Sequence, residues 1–199
     1  MLTEPSVKGL LLIGSVKAIR SAIKGGDVAR ESVELMLTPG DLEILDSKIE
    51  STRWYPVGMI GRLQEILAKM VGGDRIAALR RLGALAAGDV RDTGTYDQMD
   101  FEEGTLESAS HIRRVSFARR SATLNSMMFN FGTSRIEVDE ANRDTLIHYE
   151  EVGEFPDSMR YTIQGFTEAV ARIASGVDVP VSLEEIHPDR FTLRIGSAE

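Results

Sequence analysis

Apolar residues recur at helical spacing through the first two thirds of the chain and alternate with polar ones in the last third. Leu10, Ile13, Val16, Ala18, Ile19 and Ile23 fall near a 3.6-residue period and predict a helix over 7–24. Gly25 and Gly26 end it, because glycine accepts the left-handed conformation at a helix C-terminus. Asp27 then caps a second helix over 28–37. Thr38-Pro39-Gly40-Asp41 makes a turn and a new cap, and a third helix follows with Leu42, Leu45 and Ile49 on one face. Arg53-Trp54-Tyr55-Pro56 breaks that helix: the residue before a proline is pushed out of helical geometry, while proline suits the first turn of the next helix. The next helices are placed at 57–71 and, after Gly72-Gly73-Asp74, at 75–87. Residues 88–105 are polar and turn-rich and predict a loop, followed by a long helix over 106–129.

Beyond residue 131 the period changes to two. Ile136 and Val138 alternate with Arg135, Glu137 and Asp139, which predicts a half-buried strand over 134–139 paired with another over 145–152. A helix over 156–174 and strands over 179–186 and 190–195 complete a β-β-α-β-β unit. Short turns join both strand pairs, so the sheet is expected to be mostly antiparallel. The fold class expected is α+β: N-terminal helices packed on a sheet supplied by the C-terminal unit. The expectation is one domain over 1–199, mainly helical over 1–131 and β-β-α-β-β over 132–199.

Composition narrows the chemistry. The chain of 199 residues has no cysteine, which excludes disulfides, thiolate metal sites and cysteine nucleophiles. Its longest apolar run, 10–13, is far below the roughly 20 residues of a membrane span, and the N-terminus lacks the plan of a secretory signal. A cytoplasmic location is expected. The net charge of −8 works against nucleic acid, and no aromatic residue alternates with the basic ones.

No catalytic motif is present. The sequence contains neither a phosphate-binding GxxxxGK[ST] loop, a GxSxG elbow, nor an HExxH pair. The three histidines, His111, His148 and His187, are not at metal-ligand spacing, so no metal site and no cofactor are assigned. Arginine doublets stand out on the helical part. Arg113, Arg114 and Arg120 could share a stripe fit for a carboxylate or phosphate, or could pair with the 31 acidic residues of the chain. Trp54 and Tyr55, the first being the sole tryptophan, are either an anchor between two helices or the lip of a pocket. Met127-Met128-Phe129-Asn130-Phe131 reads as core or as a dimer face.

Val7-Lys8-Gly9, then Trp54-Tyr55-Pro56, then the β-β-α-β-β unit together resemble a bacterial family abundant in myxobacteria. That family is similar to a ligand-binding superfamily of haem–nitric-oxide-binding domains, vinyl-4-reductase-type sensors and Golgi-transport adaptors. The resemblance implies helices against an antiparallel sheet, a hydrophobic pocket between them, and frequent dimers. Two features depart from it. The stretch 184–191 has no cysteine, which argues against metal-linked or redox sensing. The haem-binding branch needs a histidine on a helix; His111 alone is placed for it, and its surroundings match no haem motif, so haem is not carried over.

Two functions remain open. The first is a non-catalytic regulatory domain that binds a small apolar or amphipathic ligand near Trp54, Tyr55 and Phe166. The second is a protein-interaction module acting as a homodimer or docking an acidic partner. They differ in what covers the apolar surface.

Overall fold

The computed structural model describes residues 4–92, 115, 118–119, 123, 125–139, 141–153 and 155–196. The fold is α+β with antiparallel pairing throughout, as expected. The N-terminal part holds β1 (Ser6–Lys8), α1 (Leu10–Gly25), α2 (Arg30–Glu34), α3 (Pro39–Asp46), β2 (Trp54–Pro56), α4 (Val57–Val71) and α5 (Arg75–Asp92). The C-terminal unit is β3 (Thr133–Asp139), β4 (Asp144–Glu150), α6 (Asp157–Ser175), β5 (Val181–His187) and β6 (Arg190–Ile195).

The start of the chain differs from the expectation. Val7 lies in β1, not in a helix, and pairs with Tyr55 of β2. The aromatic break before Pro56 is therefore a strand as well as a stop. Val and Tyr fit a pleated ribbon, and both are buried here. Gly9 makes the sharp change from β1 to α1, with the Glu50 carbonyl oxygen only 2.1 Å from where a Cβ would stand. Phe129 bridges back to Val7, and the Ser6 amide donates to Asn130 Oδ1 at 2.7 Å. The ribbon is thus tied directly to the residues that lead into β3.

The helices follow their apolar faces. Leu12, Val16 and Ile19 of α1 are buried, and Gly26 closes the helix at φ 81°. α2 is shorter than the span expected for it. α3 carries a reciprocal cap between Thr38 and Asp41, and it stops at Asp46, so Ile49 packs on the core from the loop beyond it. α4 matches its expected span and buries Met59, Ile60, Leu63 and Ile66. α5 continues through 88–92, the first part of the expected loop. Gly88 weakens a helix by only about 1 kcal/mol relative to alanine and no proline follows, so the helix propagates. The rest of that loop, and most of the helix expected over 106–129, lie outside the described residues; residues 125–128 are helical.

The four-stranded sheet has the order β3-β4-β6-β5. Thr145, Ile147 and Tyr149 of β4 and Phe191, Leu193 and Ile195 of β6 share one buried face by the two-residue alternation. α6 lies across β5 and β6, and α4 and α5 pack on α6. Among the described residues, the helical part thus reaches the sheet largely through α6. One continuous core runs from Leu12 through Met59 and Leu63 to Ile147 and Phe191.

Candidate functional site

The segments that lead into β3 and out of β4, side by side at one end of that strand pair, assemble a group of aromatic rings. Gly132, at φ 70°, bends the chain between Phe131 and β3, in a region of backbone space that side chains disfavour. Val152 and Gly153 lead from β4 to Phe155, which enters from the other side. Phe129 and Phe131 meet edge to face at 5.8 Å, and each lies within 6.1 Å of Phe155. Phe155 continues to Phe191 at 5.5 Å, and Phe191 stacks on Tyr149 at 4.5 Å. These spacings are those of offset and T-shaped aromatic pairs.

The rings do not fill the space between them. A cavity of about 260 Å³ remains, walled by Phe129, Phe131, Tyr149, Val152, Phe155 and Ile163 of α6. Its polar rim is Asn125, Ser126, Thr133 and Ser134, and no charged residue stands among the described lining. Asn125 Nδ2 donates to the Tyr149 hydroxyl oxygen at 3.2 Å. Burial pushes the Tyr149 phenol up to about 12, against a smaller lowering by Asn125, so the hydroxyl keeps its proton at neutral pH. No acceptor for that proton is found among the described residues. Beyond Phe191, the buried Arg160 places its guanidinium 5.5 Å from the ring and donates to the carbonyls of His187 and Pro188. Arg160 fixes the β5–β6 turn and is not part of the lining.

A second, more open groove of about 320 Å³ lies over β2 and α3. It brings together Trp54 and Tyr55, two of the residues singled out in the sequence, with Glu43, Ile44 and Arg53. Trp54 is 40% exposed and carries Lys8 Nζ at 3.9 Å from its ring centre. Tyr55 is buried, and its hydroxyl accepts from the Glu50 amide at 3.0 Å. Phe166 is not with them: it sits on α6 where α5 crosses, and it lines neither space. Arg113, Arg114, Arg120 and His111 lie outside the described residues. In the Arg80-Arg81 doublet of α5, Arg80 pairs with Glu168 at 2.7 Å.

The cavity walls were only partly legible. Phe129 and Phe131 belong to the Met-Phe stretch read as core or dimer face, but nothing local announces that Phe155 and Tyr149 join them. Asn125 carried no signal at all.

No family model matches the chain, and no curated protein matches it. Solved structures do. A triple mutant of an H-NOX protein from S. oneidensis in its Fe(II) ligation state superposes with a TM-score of 0.63 at 12% identity, over 96% of both chains. The unliganded Fe(II) H-NOX protein from K. algicida gives 0.58 at 14% identity, over 96% of this chain and 97% of that one. A structure from work on haem distortion in the H-NOX family gives 0.57 at 14%, over 96% and 95%. At such identities the likeness is one of fold.

The fold raises the question of haem; His111 lies outside the described residues, and the two described histidines stand away from the cavity. His148 points to the sheet face opposite Tyr149, with Nδ1 3.0 Å from Thr192 Oγ1 and Nε2 3.4 Å from Glu137. His187 is exposed in the β5–β6 turn region. Among the described residues the cavity lining holds no imidazole and no cation.

Proposed function

We propose that this chain is a non-catalytic sensor domain on an H-NOX-like fold that binds a small apolar or amphipathic molecule in the aromatic cavity. It is read as a distant branch of that fold group, in line with the resemblance to the myxobacterial family. The observation that carries the proposal is the unfilled space among Phe129, Phe131, Phe155 and Ile163, in a region otherwise packed by aromatic rings. Ligand sites are typically concave and mostly apolar, with a few placed polar groups, and the Tyr149–Asn125 pair supplies such groups.

The location also supports a regulatory role. Phe129 lines the cavity, and Phe129 and the neighbouring Asn130 pair with Val7 and Ser6 of the ribbon. An occupant that favours one arrangement of residues 129–132 shifts the ribbon with it, by the difference in its affinity for the two arrangements. Native mass spectrometry of the protein purified from cells, compared with the denatured spectrum, tests the reading. An added mass of an organic molecule, lost on denaturation, is expected. A homodimer with no added mass would instead favour the interaction-module alternative, in which the same apolar surface meets a second chain.

A further inference from the structure

We infer that the cavity selects an uncharged molecule: a compact apolar body bearing one acceptor oxygen, such as a ketone, aldehyde or ester carbonyl, held by the Tyr149 hydroxyl. This inference rests on the ligand-binding reading above and specifies its chemistry. Three observations carry it. First, Asn125 Nδ2 already donates to the Tyr149 oxygen at 3.2 Å, so what the hydroxyl still offers is its hydrogen. That hydrogen finds no acceptor among the described residues. A buried donor without a partner costs free energy, and a ligand oxygen would relieve it.

Second, the described lining holds no lysine, arginine, histidine, aspartate or glutamate. A carboxylate or ammonium group would meet no counter-charge among these residues, which is unfavourable in an apolar site. Arg160, a buried cation beside Phe191, stands outside that lining: its Nη2 donates to the His187 and Pro188 carbonyls, while its Nε has no partner among the described residues. Third, about 260 Å³ lies below the roughly 300–1,000 Å³ of pockets for drug-sized ligands, so the body is small. Tyr149, backed by the stacked Phe191, and the Phe155 ring give that body flat apolar walls.

Three probes with a shared carbon frame separate these features: benzylacetone, butylbenzene and phenylbutyrate. Their affinities for the whole chain are measured by calorimetry at neutral pH. Benzylacetone is expected to bind about tenfold more tightly than butylbenzene, the scale of one neutral hydrogen bond, and phenylbutyrate more weakly than either. Tyr149→Phe keeps the ring stack and should bring benzylacetone down to the level of butylbenzene while leaving butylbenzene unchanged. Should that variant lose butylbenzene as well, Asn125→Ala decides. It removes the amide but leaves the phenol its hydrogen, so the ketone preference must persist there.

Butylbenzene binding without a ketone preference would overturn the inference and leave the ligand-binding reading standing. So would a preference for phenylbutyrate, a ketone preference that survives Tyr149→Phe, or one that is lost with Asn125→Ala. Failure of all three probes to bind the parent protein would remove the inference together with the reading beneath it.

Discussion

α6 meets its neighbours in two contrasting ways. Against α5 the contact is closed: a Cβ on Gly83 would stand 1.9 Å from the Thr162 carbonyl oxygen, and one on Gly165 2.0 Å from the Arg80 carbonyl oxygen. On the side of Ile163 the contact is hollow, with about 260 Å³ left among rings that are large enough to touch. Glycine within a helix costs roughly 0.5–1 kcal/mol relative to alanine, so facing glycines are an expensive way to bring two helices together. The fold therefore accepts a cost for intimacy at one seam and forgoes packing energy at another. Apolar rings left partly uncovered around such a cleft forgo burial energy. Its place beside the N-terminal ribbon, the sheet and α6 is what the proposed binding role would explain.

Enlarging the side chains separates the two regions. Gly165→Val should be the most damaging change, lowering stability by about 3 kcal/mol or more, because the added atoms meet backbone that cannot step aside. Urea unfolding measures it, and an unchanged midpoint would mean that the two helices part freely. Gly83→Ala should act in the same direction. A closed polar site makes a second reference. Asp41 is buried, accepts from Arg62 Nε at 2.6 Å and Nη2 at 2.9 Å, and caps α3. Asp41→Asn should cost about 2 kcal/mol at neutral pH.

The pH dependence of that cost has a definite sign. Burial raises the Asp41 pKa, but hydrogen bonds from Arg62 and Thr38 outweigh it and the net shift is downward. A carboxylate depressed on folding contributes its stability above the unfolded value, near 3.9, and loses it as pH falls further. The gap between parent and Asp41→Asn should therefore hold above about pH 5 and close progressively below about pH 4.

Smaller effects are expected on the hollow side. Ile163→Phe should stabilise by about 1 kcal/mol, since it adds contacts where there is room, and it should abolish binding of the butylbenzene probe. A destabilised variant would mean that the cavity walls are as tight as the α5 seam. Tyr149→Phe should change stability by about 1 kcal/mol or less at neutral pH. The Tyr149 phenol, raised to about 12 by burial, favours the folded state below the unfolded value near 10, and that contribution is lost as pH rises through 12. Alkaline titration by phenolate absorbance should lose its highest step in the variant.

The same contrast marks what was legible in the sequence. α4, from Val57 to Val71, and β6, from Arg190 to Ile195, follow from periodicity and punctuation because each is decided by its own residues. The β1–β2 ribbon was missed at Val7 because its strand state depends on Tyr55, far along the chain, and the helical spacing of Leu10 to Ile23 spills back over it. The wall residues are harder still. Phe155 follows a turn and Tyr149 sits in a strand, and only the fold brings both to Phe129 and Phe131. Trp54 and Tyr55 drew notice as rare aromatics at a helix break, and they do line a groove, but Phe166 lies elsewhere on α6.

The central claim is that the space beside Ile163 receives a small molecule while the α5–α6 seam stays closed. Methyl-labelled protein titrated with butylbenzene and followed by NMR tests both halves at once. Ile163 and Val152 methyl resonances should shift in a saturable way, with Leu79 of α5 unmoved. No shift at Ile163 and Val152, or shifts concentrated at Leu79, would contradict the account.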